Sequence, residues 1–245
     1  MELRLDLDGY LAEVRRGVDH VLGAASGRLD HEVASCPGWD LADLVDHVGS
    51  FFCFWDGVVR RTRMDEASFD RAPRVPDDEL IEWLGDVSRA GIEAMAEVGD
   101  IGAERWNWSG HDQTMGWIAR RAAAEIGIHA WDATAAVGAP EAVSAEVGVD
   151  GVDEFFEVFA PLCANRFEGA AATVHLHATD ADGEWLVRAA PGRIDFEHGH
   201  AKGDVAVRAP ASDLFLLCWR RADPDGLETF GDLAPLRALL DAVKI

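Results

Sequence analysis

WIARRAAAEIGIHAWDA, residues 117–133, is the stretch that decides how the first half of this chain folds. With its neighbours it carries Met115, Ile118, Ala122, Glu125, His129, Ala133 and Ala136 in steps of three and four, the spacing of one helix face. This predicts a helix from about Thr114 to Val137, stopped by Gly138 and Pro140. Two places in the apolar stripe hold a carboxylate and an imidazole. At i and i+4 these lie one turn apart on the same face, close enough to share an ion. A buried carboxylate without a partner is costly, and a metal ion would compensate it directly. A plain Glu–His pair on a helix surface fits the periodicity equally well.

Working outward, three more helices precede this one. Leu11, Val14, Val18, Val21, Ala25 and Leu29 mark the first. SCPGWD breaks the pattern, Asp40 reads as an N-cap with Asp43 in the first turn, and the second helix carries Leu41, Leu44, Val48, Phe51, Trp55 and Val58. The loop RAPRVPDD leads to a third helix with Leu80, Trp83, Leu84, Val87 and Met95. Four amphipathic helices with modest loops make an antiparallel bundle the natural solution. His47, at the edge of the second helix's stripe, offers a third donor. Two imidazoles and a carboxylate suit Zn²⁺ and leave a fourth position open, although iron(II) or another first-row ion fits the same set.

The second part changes period near residues 138–146. After a helix over roughly Ala145–Leu162, TVHLHAT alternates, with Val174, Leu176 and Ala178 on one face. EWLVRA, RIDFEH and DVAVRA are also strand-like, and the helices SDLFLLCWRR and LAPLRALLDAV follow. Strands followed by helices predict an α+β layer.

Composition sets the limits. The 245 residues suit one large domain or two small ones, and with 49% apolar residues and nine tryptophans a substantial core is expected. Net charge is −23, with 45 acidic residues against 22 basic ones, of which two are lysine. Such a surface repels phosphate backbones and anionic membranes, which argues against nucleic-acid and membrane partners. The opening MELRLDLDGY has no basic region followed by an apolar one, and no long apolar run exists, so a cytoplasmic location is expected. Cys36, Cys53, Cys163 and Cys218 lie far apart with no CxxC pair, and no disulfide framework is expected.

Other candidates weigh less. His175 and His177 share one face of a strand, and His198 and His200 lie near a turn. No carboxylate completes a set at familiar spacing, and these histidines read as solvated polar positions. Cys36 before a helix N-terminus reads as a structural cysteine in a fixed turn. Trp39, Trp106, Trp108 and Trp131 read as packing residues, one or two of them as pocket walls. Arg120 and Arg121 read as surface salt-bridge residues.

CPGWDLADLVDHVG at 36–49 and WIARRAAAEIGIHAWDA at 117–133 resemble the two hallmark segments of the mycothiol-dependent maleylpyruvate isomerase family. VRAPASDLFLLCWRR at 207–221, followed by Gly231-Asp232, resembles that family's C-terminal domain, which is related to sterol carrier proteins. The resemblance implies a two-domain α+β fold: a DinB-like antiparallel four-helix bundle over 1–142 and a small α+β domain with a mainly antiparallel sheet over 143–245. It implies metal ligands at His47, Glu125 and His129, where many relatives have a histidine in place of Ala124. It also implies that one of Arg220 and Arg221, which follow the family's arginine-bearing segment, reaches a cleft between the domains and binds a carboxylate, with Arg220 the first choice. The expected cofactors are a divalent metal, zinc first, and mycothiol as thiol cosubstrate. The expected activity is cis–trans isomerisation of a maleylpyruvate-like substrate or S-transfer to a small electrophile. A ligand-binding protein with a structural metal and a hydrophobic C-terminal pocket is the alternative.

Overall fold

The computed structural model describes residues 3–60 and 74–244 of the chain, which divides into two compact units, Met1–Val143 and Ser144–Ile245. The start of the proline-containing loop, 71–73, lies outside the described residues.

The first unit is a four-helix bundle: α1 (Leu7–Ala25), α2 (Leu41–Val59), α3 (Leu80–Val98) and α4 (Met115–Ala136). The starts of α1, α2 and α4 are capped by side chains, and that of α3 is not. Asp6 accepts from the Gly9 amide at 2.8 Å, and Asp40 and Asp43 form a reciprocal capping box. Such caps contribute about 1 kcal/mol each. The end of α3 is Gly99 at φ 65°, and α4 is followed by Gly138 at φ 79°. Leu29 lies beyond α1, which ends before Ser26. In the core, α1 packs on α4 and α2 on α3. The α2–α3 crossing is close because Gly49 has no side chain: a Cβ there would lie 2.2 Å from the Trp83 ring.

Helix α4 departs from the one-stripe expectation. Met115, Ile118, Ala122 and Ala133 are fully buried, and so are Ala119, Ala123, Ala124 and Ile126 around the rest of its circumference. Small residues on every side let neighbouring chain approach from several directions. Arg120 and Arg121, expected at the surface, are 2% and 7% exposed.

In the second unit, α5 (Ala145–Glu154) starts at its Ser144 cap. The expected single helix is interrupted by a π-helical turn over Phe155–Phe159 before α6 (Ala160–Cys163). That turn buries Phe155, Phe156 and Phe159, and the rings of Phe155 and Phe159 pack against Trp219. The sheet comprises β1 (Ala172–Ala178), β2 (Glu184–Ala190), β3 (Arg193–His198), β4 (Val205–Ala209) and β5 (Glu228–Gly231), ordered β3-β2-β1-β4-β5. Only the β1–β4 pairing is parallel among these. Helices α7 (Ala211–Cys218) and α8 (Ala234–Ala242) complete the unit. Val174, Leu176 and Ala178 are buried, as the alternation requires. No helix among the described residues is long and apolar enough to cross a membrane.

Candidate metal centre

The loop between α1 and α2 is folded tightly on itself. Val33 and Trp39 are joined by a backbone hydrogen bond at 2.9 Å, as are Cys36 and Val33 at 2.8 Å and Trp39 and Cys36 at 3.0 Å. Gly38 takes φ 87°, a left-handed conformation that favours glycine. This loop sets the Trp39 ring 5.2 Å from His47 and 6.4 Å from His129, centroid to centroid.

Helices α2 and α4 then bring together the three residues named from the sequence. His47 Nε2 lies 3.0 Å from Glu125 Oε1, and His129 Nε2 lies 3.4 Å from the same oxygen. The two imidazole rings are 4.7 Å apart. Donor atoms around a tetrahedral zinc with bonds of about 2.0–2.1 Å stand roughly 3.3 Å from one another, so this set fits a divalent ion. Among the described residues the group has three members, all with ligand atoms within 4.8 Å of one another. His129 is nearly buried, whereas the His47 side chain is 36% exposed, so the cluster is reached from the His47 side.

Two supporting residues were not foreseen. Asp132, 1% exposed, lies 3.0 Å from His129 Nδ1 and also accepts from Ser35 Oγ at 2.5 Å and Cys36 Sγ at 3.6 Å. A carboxylate at Nδ1 holds the proton there and directs the lone pair of Nε2 toward Glu125 and His47. The sequence signal was available: an acid three residues after a candidate ligand, in HAWD. Arg121 donates to Glu125 Oε2, which leaves Oε1 facing the histidines. The carboxylate charge on α4 is therefore paired with a buried guanidinium. Cys36 is half-buried, its thiol donates to Asp132 of α4, and with His129 and Asp132 it makes a second possible donor group that shares His129.

Arg220 belongs to the second unit. Its Nη1 donates to the carbonyls of Leu240 at 3.1 Å and Val243 at 2.7 Å, tying the end of α8 to the end of α7. Its backbone sits at φ 61°, where α7 closes with Arg220 N–Leu217 O and Arg221 N–Leu216 O bonds. This position is usually glycine, and a side chain there costs about 1 kcal/mol or more.

Of the four histidines read as solvated, His198 and His200 are exposed, His177 is partly covered and His175 is buried. His175, His177 and His200 gather around Glu184, the residue paired with His177 across the β1–β2 ladder.

Family comparison agrees with this architecture. The sequence model described as the mycothiol maleylpyruvate isomerase N-terminal domain matches residues 10–134, and that of the MDMPI C-terminal domain matches residues 146–238. No curated protein matches the chain in sequence. Among solved structures, a crystal structure of a mycothiol-dependent maleylpyruvate isomerase superposes with a TM-score of 0.62 at 17% identity. The match covers 94% of this chain and 95% of that one. A histidine-to-alanine mutant of such an isomerase gives 0.61 at 16% identity with the same coverage. At these identities the likeness is one of fold.

Proposed function

Because the chain belongs to the mycothiol-dependent maleylpyruvate isomerase family, we propose that it is a metal-dependent enzyme that uses a low-molecular-weight thiol, mycothiol first. The observation that carries this reading is the convergence of His47, Glu125 and His129 on one point, with three protein donors and an accessible edge. These residues would hold a divalent ion, zinc by donor chemistry. Such an ion lowers the pKa of a thiol, so that thiolate is available at neutral pH without a dedicated base. Asp132 keeps the His129 proton on Nδ1. Arg121 fixes the rotamer of Glu125, and Trp39 walls one side of both imidazoles.

With a maleylpyruvate-like substrate, the thiolate sulfur adds to one carbon of the cis double bond and the electron pair moves toward the adjacent carbonyl. The former double bond is then single and rotates. Return of the pair expels the thiolate and leaves the trans isomer, with the thiol regenerated. In the S-transferase variant the carbanion is protonated instead, and the thiol remains attached as a thioether.

Mycothiol added to cobalt-substituted protein is expected to produce sulfur-to-cobalt charge-transfer absorption. A spectrum unchanged by the thiol overturns this reading in favour of a structural metal in a ligand-binding protein. Product analysis then separates the two activities, since the isomerase leaves mycothiol unconsumed.

Arg220 is our proposed carboxylate-binding residue. It retains a guanidinium at a backbone position that disfavours any side chain, and a guanidinium binds carboxylates bidentately. Arg220→Ala is expected to raise KM for a carboxylate substrate about tenfold with kcat little changed, the signature of lost binding. A variant with lower Tm and unaltered KM would restrict Arg220 to clamping α8.

A further inference from the structure

We propose that His175, His177, Glu184 and His200 form a second divalent-metal site, in the C-terminal unit, for a first-row ion of the zinc class. The four residues come from three segments. His175 and His177 alternate on the face of β1 opposite Val174 and Leu176, Glu184 begins β2 directly across from His177, and His200 lies in the β3–β4 connection. Their ligand atoms all lie within 4.8 Å of one another.

A single carboxylate oxygen marks the point of convergence. Glu184 Oε1 lies 2.8 Å from His200 Nδ1 and 3.4 Å from His175 Nε2, and it contacts His177 Nδ1. The His175 ring is 5.2 Å from that of His200 and 6.2 Å from that of His177. Three imidazoles around one carboxylate supply the donor types that zinc takes, gathered closely enough for one ion to reach all four.

His175 carries the argument beyond a hydrogen-bonded cluster. Its side chain is 8% exposed, and its Nε2 is a buried nitrogen with no hydrogen-bond partner. An unsatisfied buried nitrogen is destabilising, and this one stands among the other three donors. A cation at the centre would satisfy it. Burial holds the His175 pKa below the ordinary histidine value, so the ring is neutral with its lone pair available.

Four protein donors fill a tetrahedral sphere, in contrast to the three of the bundle site, so this is a closed, structural centre. It fastens the connection bearing His200 to the sheet. The connection already approaches closely, since a Cβ on Gly203 would lie 2.9 Å from the His175 amide nitrogen.

The test uses the full chain, stripped with a chelator and titrated with Zn²⁺, with bound metal counted by native mass spectrometry. The expected result is two ions per wild-type chain, one each in His177→Ala and His129→Ala, and none in the double variant. His200→Ala, whose ring is 79% exposed, serves if His177→Ala does not fold, and should weaken one of the two sites about tenfold or more. In His129→Ala, bound Co²⁺ should show tetrahedral nitrogen–oxygen absorption that added thiol leaves unchanged. A single ion abolished by His129→Ala, or a second ion indifferent to His177→Ala and His200→Ala, would overturn the site.

Discussion

His129→Ala is expected to empty the bundle site and lower kcat/KM at least about a thousandfold, which is roughly 4 kcal/mol of transition-state stabilisation. The substitution removes one of three donors, and the remaining pair, His47 and Glu125, lie 3.0 Å apart on different helices. Two donors do not hold zinc against water at the affinity of three. The loss also reaches inward. Asp132 would keep Ser35 and Cys36 as donors but lose the imidazole, at a cost of about 1–3 kcal/mol for a buried carboxylate. Metal content and Tm should therefore fall together. Metal analysis is best made in a His177→Ala background, where the expected change is from one ion to none. Full retention of the ion there would remove His129 from the ligand set.

Asp132→Asn is the more discriminating experiment because it preserves shape. The amide can turn its NH₂ toward His129 Nδ1, which places the imidazole proton on Nε2, the atom that faces Glu125. A protonated Nε2 cannot ligate. Zinc affinity is expected to fall about 10–100-fold, measured by chelator competition, with circular dichroism unchanged. An affinity equal to that of the wild type would show that Asp132 merely satisfies the loop hydroxyl and thiol.

These two residues also show what a sequence does and does not disclose. His129 was legible because it replaces an apolar residue in a stripe of Met115, Ile118 and Ala122, and helical phase is a local property. Asp132 lies three residues on, a spacing that marks it as a neighbour of His129 but not as buried. Its burial depends on the folded 33–39 loop, which no period announces. Arg121 was misread for a related reason. A helix of alanines and glycines is crowded on all sides only once its neighbours are in place, and hydrophobic patterning cannot record that.

The second unit follows the same logic. The four longer strands were readable from alternation, whereas β5 is four residues of ETFG, mostly exposed and ending in glycine. The π-helical turn in the α5–α6 segment leaves the hydrophobic composition of a helix intact and changes only its phase. Glu184 was missed as a partner of His177 because ladder register joins them, and register is fixed by the hairpin and not by a spacing motif.

The division at Val143 has a consequence for how the protein is made. Every proposed ligand of the bundle site, with Asp132 and Arg121, precedes that boundary. Chains emerge from the ribosome at about 5–20 residues per second, and domains tend to fold as units in the order they appear. The residues of the second unit, 144–245, therefore take on the order of 5–20 seconds to synthesise after the bundle is complete. In that interval the first unit can capture its ion while the sheet, with its parallel β1–β4 pairing, has yet to exist. If the bundle binds the proposed ion in that interval, loading would fall to the nascent chain, and scarcity of the ion during translation would be felt before the second unit exists.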